Sequence, residues 1–99
     1  MKPEFDELIH APNRLRICAA LSTVREAEFS VVRDAIEVSD SVLSKQVRLL
    51  QEAGYVKVSK ATVNTRQRTW LALTGKGRRA FRAHMLELRR LADAGVAGA

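Results

Sequence analysis

Ser41, Ser44, Lys45 and Arg48 are spaced three, one and three apart, which at about 100° per residue gathers them on one face of a helix. Leu43, Val47 and Leu50 fall on the other face, with Val42 at the flank of the polar one. Short hydroxyl side chains let a backbone approach base edges in a major groove, and a Lys or Arg one turn later reaches guanine acceptors or phosphate oxygens. The chemistry on offer is non-covalent recognition of a polyanion. An amphipathic helix with a merely solvated polar face would carry the same pattern, so the neighbouring segments decide.

The helix is well punctuated. Ser39 has an N-cap hydroxyl, Asp40 puts negative charge at the positive end of the dipole, and Gly54 is a ready C′ residue, so a helix from Asp40 to Ala53 is expected. Ahead of it, Arg25 to Glu28 reads as a polar connection and Phe29 as a short strand or anchor. Ser30 reads as the N-cap of a brief helix from Val31 to Ile36, whose Val32, Ala35 and Ile36 pack inward. Glu37 to Asp40 makes the turn between the two helices, and so short a turn is a helix-turn-helix signature.

After Gly54, Tyr55 to Lys60 alternates, with Val56 and Val58 on one side and Lys57 and Ser59 on the other. Arg68 to Leu73 alternates again and puts Leu71 with Leu73. The polar stretch Ala61 to Gln67 between them carries Asn64 and Arg66, giving a two-stranded hairpin with a long basic tip. Directly after a recognition helix such a hairpin is a wing, whose Arg66 and Arg68 would lie along the minor groove or its phosphates. The bland alternative is a charged solubilising loop. Trp70 faces away from Leu71 and Leu73, which leaves it exposed, laid over a neighbouring helix or placed in a subunit contact.

Charge is distributed unevenly. The 99 residues carry a net +6, yet Met1 to Ser44 holds 5 basic and 8 acidic residues, whereas Lys45 to Arg90 holds 12 basic and 2 acidic. No acid occurs from Ala53 to Leu86. That half is built to meet a polyanion, with nucleic acid ahead of an anionic membrane because no segment combines a strong moment with an aromatic insertion face. The longest apolar run is only Ile17 to Leu21, and the acidic start at Glu4, Asp6 and Glu7 is wrong for a signal peptide, so a cytoplasmic protein is expected.

The ends of the chain look like packing elements. Phe5, Leu8 and Ile9 share a face in a short first helix, the HAPN break interrupts it, and Pro12 opens a second, largely apolar helix to about Thr23. Thr74 caps a last helix from Gly75 to about Ala92, in which Phe81, Met85, Leu88 and Ala92 form a stripe flanked by His84 and Leu91. In so short a chain this suggests dimerisation through Phe5, Leu8, Ile9, Phe81, Met85, Leu88 and Leu91, the alternative being packing on the chain's own domain. Cys18 is the only cysteine and lies amid apolar neighbours, which reads as a buried thiol; His10 and His84 have no ligand cluster at metal spacing, so no metal or other cofactor is expected.

HAPNRLRICAAL at His10 to Leu21, FSVVRDAIEVSDSVLSKQVRLLQEAGYV at Phe29 to Val56 and RQRTWLALTGKGRRAF at Arg66 to Phe81 together resemble the MarR-like winged-helix transcriptional regulators, in particular their compact single-domain branch. The resemblance implies a mainly α fold with a small β-hairpin wing. It would comprise N-terminal helices over 4–23, a helix-turn-helix over 29–54, a wing over 55–73, a C-terminal dimerisation helix over 74–92 and a tail over 93–99. It also implies a homodimer reading a near-palindromic operator, with contacting positions at Asp40, Ser41, Val42, Ser44, Lys45 and Gln46 and wing arginines at Arg66 and Arg68. Val42 stands where the family often has a polar reader and could touch a thymine methyl instead. Asn64 and Gln67 replace a glycine and a proline frequent at the wing tip.

A sequence-specific, double-stranded DNA-binding regulator is therefore the expected function, with Lys45, Arg48, Lys60, Arg66 and Arg68 on phosphates and Ser41, Val42, Lys45 and Gln46 choosing the sequence. The competing reading is a winged-helix module docking an acidic protein partner without reading DNA. A cavity between terminal helices could hold a small apolar effector, though plain packing would look the same. Enzyme chemistry is not expected: no nucleophile, base and orienting acid assemble, and Gly75 and Gly77 open a helix where they permit close packing rather than cradle a phosphate.

Overall fold

Asp6 and Pro12 start the first two helices. In a computed structural model, which describes residues 1–96, Asp6 caps α1 (Glu7–His10) by accepting from the Ile9 amide at 3.0 Å, and Pro12 occupies the first turn of α2 (Pro12–Ser22). There follow β1 (Ala27–Glu28), α3 (Phe29–Ile36), α4 (Asp40–Glu52), β2 (Val56–Val63), β3 (Arg66–Leu73) and α5 (Gly75–Ala94). The strands form one antiparallel sheet in the order β1-β3-β2, with Glu28 opposite Trp70 and Ser59 opposite the same tryptophan on its other side.

The core is assembled around α2. Its Ile17, Cys18 and Leu21 are fully buried with Ile9, Val32 of α3, Leu43 and Leu50 of α4, and Leu71 of β3; Val47, Val56 and Leu73 complete the cluster. Burying a side chain of this size stabilises the fold by roughly 1.5–3 kcal/mol. The alternation of β3 thus delivers Leu71 and Leu73 to the interior, as its sequence pattern demands.

α5 is seated by the junction between α4 and β2. Thr74 accepts from the Gly77 amide at 3.0 Å, while its own hydroxyl donates to the Gly54 carbonyl at 2.6 Å and its amide to the Tyr55 carbonyl at 3.0 Å. A Cβ on Gly77 would lie 2.1 Å from that Tyr55 oxygen, so the close approach requires glycine. Gly54 itself sits at φ +80° and ends α4, as a C′ glycine should.

Several local expectations need correction or completion. Ser30 does not cap α3: the helix begins at Phe29 with Glu28 at its N-cap, because pairing of Ala27 and Glu28 with β3 carries the strand directly into the helix. Phe29 packs on the core as the first residue of α3, so of its two readings the anchor holds and the strand does not. The hairpin has no long tip: β2 and β3 pair out to Val63 and Arg66, closed by Asn64 and Thr65 at φ 50° and 65°. Two successive left-handed residues make the two-residue turn that matches strand twist. Phe5 precedes α1 instead of lying in it, since Asp6 takes the cap. His84, at the flank of the α5 stripe, is fully buried. α5 also runs on to Ala94, into the span expected to be tail, of which residues 97–99 lie outside the described residues.

Candidate nucleic-acid interface

Ser39 accepts from the Val42 amide at 3.2 Å and so fixes the first turn of α4. Arg33 of α3 reaches across the turn, donating to Asp40 at 2.9 Å and to Asp34 at 2.9 Å. Those hydrogen bonds, to Asp34 foremost, raise the guanidinium's pKa further. Asp40 is thus held against α3, where it also complements the helix dipole. Ser41, Val42, Ser44, Lys45 and Arg48 stand exposed in a continuous row beside it.

An open groove of about 430 Å³ runs between α4 and the sheet. Asp40, Ser44, Arg48 and Gln51 line one wall, Lys60 and Thr69 the other, and Phe29, Val47, Val58 and Leu71 are also among its lining. The structure therefore brings Ser44, Arg48 and Lys60 to one surface. Asn64 and Arg66 stand exposed at the far end of the hairpin, Asn64 in the turn and Arg66 as the first residue of β3.

Besides Asp40, two expected site residues are engaged by another element. Arg68 donates to both carboxylate oxygens of Glu28 at 3.2 and 3.3 Å, tying the base of the wing to β1. Gln46 is half-buried and accepts at Oε1 from Arg14 of α2 at 2.7 Å, while the Arg14 Nε donates to the Leu8 carbonyl at 2.5 Å. Arg14, Glu28 and Arg33 are absent from the sequence-based site because each acts through a partner on another element, a pairing with no periodicity to betray it.

The residues expected at a subunit contact divide. Ile9 is fully buried in its own chain and Phe81 packs on the core, so Ile9 is a core residue and not an interface one. Phe5, Met85 and Leu91 are 41%, 41% and 47% exposed, and Leu8 and Leu88 are half-buried. Behind them lies a polar knot: the Asp6 amide donates to His84 Nδ1 at 3.0 Å, His84 Nε2 meets His10 Nδ1 at 3.1 Å, and the Tyr55 hydroxyl donates to Asp6 at 2.6 Å. That bond to Asp6, with burial, pushes the Tyr55 hydroxyl up to about 12. Burial also pushes the Cys18 thiol up to about 12, with help from the Asp6 charge, which leaves it an inert thiol at neutral pH. Among the described residues no three His, Cys, Asp or Glu side chains gather as a metal site would require, and no helix is long and apolar enough to cross a membrane.

Known proteins of the same kind exist. A family model described as a winged helix DNA-binding domain matches residues 13–92. An uncharacterized protein of Methanocaldococcus jannaschii is 30% identical over 78 residues, covering 79% of this chain and 85% of the relative. A transcriptional regulator homologue from Pyrococcus horikoshii OT3 superposes with a TM-score of 0.84 at 26% identity, covering 90% of this chain and 88% of that one. A MarR family transcriptional regulator from Silicibacter pomeroyi DSS superposes with a TM-score of 0.68, also at 26% identity, over 93% of this chain and 60% of its own.

Proposed function

The chain belongs to the winged helix DNA-binding domain family, as a MarR-like transcription regulator, and from that premise we propose that it reads a near-palindromic operator as a homodimer. The exposed row Ser41, Val42, Ser44, Lys45 and Arg48, beside a groove that also takes Lys60, is the observation that carries this reading. α4 enters the major groove. Ser41, Val42, Lys45 and Gln46 face base edges, and Lys45 and Arg48 also reach phosphates. The hairpin then lies toward the minor groove, with Lys60, Asn64 and Arg66 along the backbone and Arg68 at its base.

Two copies join through the partly exposed apolar groups of the N-terminal segment and α5, namely Phe5, Leu8, Met85, Leu88 and Leu91. This arrangement sets two α4 helices about one helical turn of DNA apart. Affinity rests mainly on phosphate neutralisation: if a dimer neutralises roughly eight phosphates, log K falls with log salt at a slope of about −7.

Selection of duplexes from a random pool at near-physiological salt, with Lys45→Ala in parallel, tests the proposal. The expected result is a two-fold-symmetric motif with half-sites about one turn apart, degraded in the variant. Folded protein that enriches no motif, yet captures an acidic protein regardless of nuclease treatment, would replace this reading with protein docking.

A further inference from the structure

Gln46 is a proposed base reader whose side chain is already held by a residue of another helix. Its Oε1 accepts from Arg14 Nη1 at 2.7 Å, and Arg14 is itself pinned by its Nε bond to the Leu8 carbonyl. A guanidinium has only donors, so the amide must turn its oxygen toward Arg14. The second bond, to the backbone of α1, keeps the guanidinium from following Gln46 into a groove.

Glutamine reads adenine with both ends of its amide, the oxygen accepting from N6 and the nitrogen donating to N7. Here the oxygen is drawn back toward α2, which leaves the two N–H donors of Nε2 as the reading group. Donors find two acceptors on guanine, O6 and N7, and O4 on thymine, whereas adenine offers them only N7 beside an amino group that repels them. They offer nothing to the amino group of adenine or cytosine.

Resting on the assignment of α4 to the major groove, we infer that Arg14 is a specificity-determining positioning residue. It makes Gln46 a donor-only reader, so that guanine or thymine is selected, and adenine disfavoured, at the base pair beneath it. Arg14 touches no base in this scheme. It acts by setting which end of an amide faces the DNA.

The test is duplex selection with the full chain, comparing wild type, Gln46→Ala, Gln46→Glu and Arg14→Met at one salt concentration, with thermal melts to establish folding. Gln46→Ala should flatten one position per half-site, at which wild type enriches guanine or thymine. Arg14→Met should raise adenine at that same position about fivefold or more, the low end of what a bidentate contact discriminates, and leave the other positions alone. Should Arg14→Met fail to fold, Gln46→Glu decides: it keeps the tie to Arg14 but has no donor, so the position should turn to cytosine, whose amino group a carboxylate accepts.

Adenine at that position in wild type, an unchanged motif in folded Arg14→Met, or a uniform weakening across all positions would each overturn the inference. So would a Gln46→Glu motif identical to wild type. A motif that Gln46→Ala leaves intact would overturn it too, while the DNA-reading function stands; no motif from any folded protein would overturn that function as well.

Discussion

Acidification should weaken the knot that joins the two ends of the chain, and the donor pattern says how. Because the Asp6 amide donates to His84 Nδ1, that nitrogen carries no proton; the ring proton sits on Nε2 and points to His10 Nδ1. Phe5 closes the ring edge-on, with centroids 4.7 Å apart. Burial lowers the pKa of His84 below its usual 6.5, the neighbouring His10 acts in the same direction, and Asp6 opposes. Below pH 6.5 the unfolded chain therefore binds a proton that the folded chain refuses. Stability from this group is fully present above that value and is lost as pH falls toward the folded pKa.

A single refused proton has a limiting slope of about 1.4 kcal/mol per pH unit, so moving from about pH 7.5 to about pH 5.5 should destabilise the fold by up to about 1.4 kcal/mol through His84 alone. Urea unfolding at the two pH values, for wild type and His84→Asn, measures it. Asparagine keeps an acceptor near the Nδ1 position but has no proton to take up, and His10 is present in both proteins. The difference between them should therefore shrink as pH falls. Parallel pH dependence in the two proteins would refute the assigned tautomers.

Two further perturbations follow from backbone geometry. Gly77→Ala sets a methyl against the Tyr55 carbonyl, where the clash is with backbone and cannot be relieved by a rotamer; a net loss of about 2 kcal/mol or more is expected after crediting alanine's helix propensity. An unfolding midpoint equal to wild type would contradict the packing of α5 on the start of β2. Thr65→Gly replaces a β-branched residue held at φ 65° and should stabilise by about 1 kcal/mol, read as a higher midpoint in the same assay; a lower one would contradict the two-residue turn.

The contrast between α4 and its surroundings shows what a sequence can disclose. Ser39, the Leu43, Val47 and Leu50 face, and Gly54 are local signals separated by a few residues, and each does in the structure what its type and spacing require. The start of α3 is not legible locally, because its entry is decided by β1 pairing with Trp70 and Leu71, some forty positions away. The hairpin turn was hidden by Thr65, since a β-branched residue is a poor advertisement for positive φ. His84 flanks an apolar stripe, and its burial is not legible there because its partners, Asp6 and His10, come from the opposite end of the chain. Phe81, Met85 and Leu88 follow one helical spacing, yet the first packs on the core and the second stands 41% exposed; periodicity identifies a face, not what covers each part of it.

Ion pairing sharpens where a polyanion would land, beyond what net charge conveys. Arg33 is tied to Asp34 and Asp40, Arg68 to Glu28, Arg89 to Asp93 and Arg90 to Glu87. Lys45, Arg48, Lys57, Lys60 and Arg66 are exposed and, among the described residues, form no ion pair. Those five lie on α4 and the hairpin, the elements proposed to meet DNA; Lys2, Arg16, Arg25, Lys76, Arg79 and Arg82 are likewise exposed and without an ion pair among the described residues, but lie away from those two elements. Five such cations per chain would give a dimer about ten, which bounds the salt slope near −9 if every one met a phosphate. The proposed eight contacts fit within that bound without breaking the Arg68–Glu28 pair, so Arg68 can serve as the fixed hinge of the wing while the unpaired cations supply the electrostatic attraction.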